Sequence, residues 1–158
     1  MAAALSPGSV AIRIAVLVGG LLGALLLLVA EVTTVYAVYT AGGTAPVESV
    51  NTGSHHGYAL VPIALLAALL SCVIWLTRGR AALWALGVLG LIALLIARLG
   101  DLPDAHSRGI VRTAGAHFVS GGARPSAGLY IETLGAAVIL ITSGLGLLLL
   151  QTRNRSQT

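Results

Sequence analysis

Four long apolar runs, separated by polar segments, organise the chain: residues 14–38, interrupted only by Glu31, Thr33 and Thr34, then 58–76, 81–98 and 127–150, the last with Glu132 near its start. A helix rises ~1.5 Å per residue, so ~20 mainly apolar residues are needed to cross the ~30 Å hydrocarbon core of a bilayer. None of the runs carries a polar stripe of helical period, which argues against helices lying on a membrane surface. None alternates with period two, which argues against a membrane β-barrel. The pattern predicts an all-α fold: a single integral membrane domain over residues 1–158, an antiparallel up-down four-helix bundle with outer loops at 40–57 and 99–126.

Local signals refine these elements. Pro62 falls in the first turn of the second helix, where its missing N–H breaks no intrahelical bond. Only Thr77, Arg78, Gly79 and Arg80 join the second and third runs, and so short a link demands a helical hairpin. The third run is the shortest and is closed by Arg98, whose guanidinium can snorkel to the headgroups. Residues 100–104 read as a rigid turn out of the membrane around Pro103, and residues 115–126 as a mobile Gly-rich stretch. Read as a secretory signal, residues 1–37 have too long an apolar region, and an uncleaved anchor is expected.

Composition agrees. Of 158 residues, 57% are hydrophobic and 9% charged, and the mean hydropathy is +0.97. Soluble domains carry about a quarter charged residues, so a soluble enzyme, a disordered tail and a coiled coil are all excluded. One cysteine rules out an internal disulfide.

Charge sets the orientation. Arg13, Arg78, Arg80, Arg153 and Arg155 lie at one end of the runs without an acid, whereas Arg98, Arg108, Arg112 and Arg124 share the other end with Glu31, Glu48, Asp101, Asp104 and Glu132. The positive-inside rule then puts both termini in the cytoplasm. The pI of about 10.0 is thereby an orientation signal, and no nucleic-acid partner is expected. Trp75 and Trp84 fall at the cytoplasmic interface and Tyr36, Tyr39, Tyr58 and Tyr130 at the opposite one, as aromatic belts do. Abundant Ala, Gly, Leu and Arg without lysine suggests a GC-rich bacterial source, hence an inner-membrane location.

The groups able to do chemistry lie on the outer side. His55 and His56 are in the first outer loop, and His106 and His117 in the second. They are the candidates for a metal site, which needs three or four converging ligands. Adjacent His55 and His56 would point to opposite sides of an extended loop, and no HxxxH or HExxH spacing occurs, so solvated loop histidines are expected and no cofactor. Copper(I) is disfavoured because the only sulfurs, Met1 and Cys72, lie elsewhere. Glu31, Arg98 and Glu132 fall at similar depth inside the runs. Since ionisable groups in lipid are costly and usually paired, they are expected to form a structural Glu–Arg cluster. A proton or cation site is the functional alternative. Ser71, Thr142 and Ser143 are the polar groups near midplane, too few for a conducting pathway. Gly19 with Gly23, Ala64 with Ala68, and Thr142 with Gly146 have helix-packing spacing.

The strings His56-Gly57-Tyr58-Ala59-Leu60, Gly100-Asp101-Leu102-Pro103-Asp104 and Tyr130-Ile131-Glu132-Thr133-Leu134-Gly135-Ala136 resemble those of small uncharacterised actinobacterial-type four-span membrane proteins, over residues 56–150. The resemblance implies the four-span fold and an outer-facing polar edge, and carries no activity. The expected role is a non-enzymatic accessory or structural subunit, held by the lipid bilayer and by a membrane-protein partner or a second copy. The alternative is an extracytoplasmic metal or small-ligand sensor using the outer histidines and acids.

Overall fold

The computed structural model describes residues 7–77, 79–112 and 117–155. Arg78, Met1 and the side chains of Arg153 and Arg155 lie outside that description. In chain order the elements are α1 (Pro7–Glu31), β1 (Thr34–Thr40), β2 (Pro46–Asn51), α2 (Thr52–His56), α3 (Leu60–Thr77) and α4 (Arg80–Leu95). A π-helical turn (Ile96–Asp101) prolongs α4, and α5 (Leu102–Asp104), β3 (Arg108–Arg112), β4 (Phe118–Pro125) and α6 (Ala127–Arg155) follow. Among the described residues, four helices are long and apolar enough to cross a membrane: Val10–Glu31, Leu60–Thr77, Arg80–Asp104 and Ala127–Leu149.

The fold is therefore mostly helical, but not all-α. The segments expected to be outer loops pair into one four-stranded antiparallel sheet, in the order β2-β1-β4-β3. The first apolar run stops being helical at Glu31, where the Thr33 hydroxyl donates to the Ala30 carbonyl at 2.8 Å. The following Thr-Val-Tyr-Ala-Val-Tyr-Thr is rich in β-branched and aromatic side chains, which crowd a helix and fit a pleated surface, so it becomes β1. The tight connection to β2 passes through Gly42, whose φ of 80° suits glycine. The stretch expected to be mobile contains β4, which pairs along both β1 and β3. The turn expected at residues 100–104 is instead helical, so the third candidate span runs to Asp104.

The sheet caps the end at which α1 and α4 finish and α3 and α6 begin. A small apolar cluster of Val35, Ala97, Ala105 and Leu129 fastens it to the helices, and the Ser126 N–H donates to the Val35 carbonyl at 2.9 Å. Below it, α1 packs against α3 and α6, and α4 against the same two helices. Leu27, Leu60, Leu83, Leu86 and Ile139 fill the centre. Large apolar side chains also cover the outside, with Leu65 and Leu69 each 59% exposed. A helix that is apolar all round suits lipid rather than water.

Lipid gives apolar helices little reason to associate, so close backbone approach and hydroxyl bonds matter. Gly23 and Gly135 supply that approach between α1 and α6: a Cβ on either would lie 3.0–3.1 Å from the other's carbonyl. In the half of the helices away from the sheet, the Ser143 hydroxyl of α6 donates to the Leu83 carbonyl in the first turn of α4 at 2.7 Å, and the Ser71 hydroxyl donates to Ala67 within α3. At the end away from the sheet, the Arg13 guanidinium lies 4.7 Å from the centre of the Trp75 ring. Arg13 thus sits within the first candidate span, not ahead of it as the apolar pattern suggests.

Candidate functional site

The site forms where the sheet meets the helices, and α2 presents its first half. This single turn follows β2 directly; the Ser54 hydroxyl donates to the Asn51 carbonyl at 2.8 Å, and Gly57 closes the turn in the left-handed region at φ 58°. Gly53 lets the turn rest on the end of α1, since a Cβ there would come 2.7 Å from Glu31 Oε2 and 2.8 Å from the Glu31 carbonyl. Because the segment is helical, His55 and His56 are not splayed to opposite sides. Their ring centroids stand 4.6 Å apart in an edge-to-face arrangement.

The π turn presents the second half. Wider than an α-helical turn, it carries one extra residue per turn and re-aims the side chains that follow. Ala97 and Asp101 become the buried positions, and Arg98, next in the chain, faces outward. Asp101 is 0% exposed. Its Oδ1 accepts a hydrogen bond from His56 Nε2, and His55 Nε2 lies 3.6 Å from the same oxygen. His55 Nε2 also lies 3.2 Å from Asp104 Oδ2, whose side chain is 52% exposed. Tyr36 of β1 sets its ring edge-on to His55 with centroids 5.6 Å apart. Burial, with the carboxylates of Asp104, Glu48 and Asp101 nearby, pushes the Tyr36 phenol above the usual 10.0.

Two more carboxylates lie behind the histidines. Glu31 Oε1 accepts the Leu60 N–H at 2.7 Å. It thus caps the N-terminus of α3, where the helix dipole also favours a negative charge. Glu132, on the first turns of α6, is wholly buried with Asp101 and Glu31 as its neighbouring acids. Glu31 Oε2, Asp101 Oδ2 and both Glu132 oxygens are buried without an N–H donor among the described residues, and Glu132 and Asp101 lie within reach of each other.

The expected cluster of Glu31, Arg98 and Glu132 is therefore only partly assembled. The two glutamates stand at one depth, but Arg98 is exposed, lines an outer groove with Tyr130 and Leu134, and makes no ion pair among the described residues. Asp101 takes the place expected of Arg98. Of the four histidines, two converge. His106 Nδ1 donates to the Leu102 carbonyl at 2.9 Å, and His117 precedes β4 at the far end of the sheet, where Arg112 faces Phe118. The pivot that pattern reading missed is Asp101, with Asp104 three residues on; the cue was an acidic pair closing an apolar run, but the turn that buries one and exposes the other has no sequence signature.

His55, His56 and Asp101 each offer one donor atom, all within 4.8 Å of one another. Two imidazoles facing a buried carboxylate, backed by two more acids, make a place for positive charge. No protein-family model, curated protein or solved structure matches the chain.

Proposed function

We propose that this chain is a non-enzymatic, multi-pass protein of the bacterial inner membrane that binds a small cationic ligand on its outer face. In this reading the four helices form an antiparallel up-down bundle across the bilayer, with both termini cytoplasmic and the sheet outside. The arginine distribution supports that orientation.

One observation carries the function: His55 and His56, from the first outer segment, meet Asp101, at the end of the third helix, in one cluster. An ionisable group kept in a membrane-facing fold is expensive and points to function. His56 is bonded to Asp101, and His106 to a main-chain carbonyl, so neither is paired with a nucleophile. The buried hydroxyls of Ser71 and Ser143 are spent on helix carbonyls, which favours binding over conduction. The protein then serves as a sensor or as the ligand-holding accessory subunit of a membrane complex.

The reading is tested by thermal melting of the detergent-purified protein against a panel of metal ions, primary amines and guanidinium compounds. At least one cation should raise the melting temperature of the wild type and not of Asp101→Ala. A panel that leaves the wild type unmoved would refute it.

A further inference from the structure

We infer that the ligand is a divalent transition-metal ion of the zinc type, bound by His55 Nε2, His56 Nε2 and Asp101, with Asp104 as the outward fourth ligand. This assignment of ligand class rests on the reading of the cluster as a cation site.

Two of the donor pairs are spaced for such an ion, and His56, hydrogen-bonded to Asp101 Oδ1, exchanges that bond for the metal. Zinc binds imidazole nitrogen and carboxylate oxygen at about 2.0–2.2 Å, so donors at the corners of a tetrahedron lie roughly 3.3–3.6 Å apart. His55 Nε2 is 3.6 Å from Asp101 Oδ1 and 3.2 Å from Asp104 Oδ2. Both histidines turn the same nitrogen, Nε2, toward the same oxygen. A turn of helix on one side, and the π turn followed by α5 on the other, hold the donors, so little chain has to be ordered when the ion arrives.

The donor types narrow the class. Two imidazoles with two carboxylates suit borderline divalent ions such as Zn²⁺ and Co²⁺. Calcium and magnesium prefer oxygen throughout, and copper(I) prefers sulfur. The one cysteine, Cys72, lies on α3, within the candidate span Leu60–Thr77.

A separate observation points to positive charge at this place. Asp101 Oδ2 and Glu31 Oε2 are buried without an N–H donor among the described residues, and Glu132 is packed against them as a third buried acid. Carboxylates removed from water without a partner are costly, and a divalent ion bound by Asp101 offsets that cost. Asp104, half exposed at the mouth, lets the ion exchange with solvent.

The test uses the full chain in detergent, stripped with a chelator and titrated with Zn²⁺ and with Co²⁺, size exclusion and circular dichroism establishing that each variant is folded. One equivalent should bind, and Co²⁺ should give the intense visible bands of a tetrahedral site. His55→Ala, His56→Ala and Asp101→Asn should each weaken binding at least about a hundredfold, and the exposed Asp104→Asn about tenfold. His106→Ala and His117→Ala should bind as the wild type does. Absence of metal binding in the wild type, or binding untouched by changes at His55, His56, Asp101 and Asp104, would overturn the assignment. If an amine or guanidinium compound stabilises the protein through Asp101 while neither metal binds, the metal is wrong and the cation site stands. If nothing binds, both fall.

Discussion

His56 is hydrogen-bonded through Nε2 to Asp101 Oδ1, across 45 positions of the chain, and so ties the first sheet-forming segment to the end of the π turn that prolongs α4. The bond joins a half-buried imidazole to a wholly buried carboxylate at the seam between sheet and helices. Removing the carboxylate releases both histidines together.

Asp101→Ala should lower stability by about 1.5–3 kcal/mol, the usual worth of a hydrogen bond to a charged group. Thermal or denaturant unfolding in detergent measures this. An unchanged transition would mean that the clasp contributes nothing to the fold.

Glu31 and Arg98 should behave differently, although both close an apolar run. Glu31→Ala removes the acceptor for the Leu60 N–H and should cost about 1–2 kcal/mol, as the loss of a helix cap does. Glu31→Gln keeps an acceptor oxygen and should retain most of that stability. Arg98→Ala removes an exposed, unpaired side chain and should shift stability by no more than about 0.5 kcal/mol. A large loss at Arg98 would restore the Glu–Arg cluster expected from the apolar pattern.

The Tyr36 phenol, raised above its usual 10.0 first by burial and then by Asp104, Glu48 and Asp101, should titrate late. The folded protein holds the proton at pH values where the unfolded chain has lost it. The stability contributed is therefore complete below about pH 10 and disappears as pH climbs through the folded value. The difference in phenolate absorbance between wild type and Tyr36→Phe reports the midpoint, which should exceed that of free tyrosine. A midpoint at or below that of free tyrosine would contradict the placement of Tyr36 beside these acids.

Gly53→Ala should push α2 off the end of α1, because its Cβ would meet Glu31 Oε2 at 2.7 Å and the Glu31 carbonyl at 2.8 Å. Overpacking of this kind costs about 1–3 kcal/mol. Metal affinity should fall with it, since both histidines ride on the same turn. A variant with wild-type melting and wild-type affinity would show that the turn does not depend on this contact.

Much of the helical architecture is legible along the chain. Uninterrupted apolar length marks the four helices, Pro62 marks the first turn of α3, and Gly23 lies at the α1–α6 contact. The sheet is harder to read because β1 continues the apolar run of α1 without a break, and only the density of β-branched and aromatic residues after Val32 separates the two. Among the site residues, His55 and His56 are visible as a pair, but their convergence depends on a one-turn helix that few residues specify. Asp101 is visible as an acid two residues before Pro103, yet its burial depends on a π turn, a local excess of one residue per turn that tertiary packing decides.

X-ray absorption at the zinc edge of the zinc-loaded, full-length protein tests the central claim most directly. The spectrum should show low-atomic-number scatterers only, at about 2.0–2.1 Å, with the multiple scattering of two imidazole rings, and that imidazole signal should drop by half in His55→Ala. Sulfur scattering, or a spectrum without imidazole, would contradict a metal held by His55, His56 and Asp101.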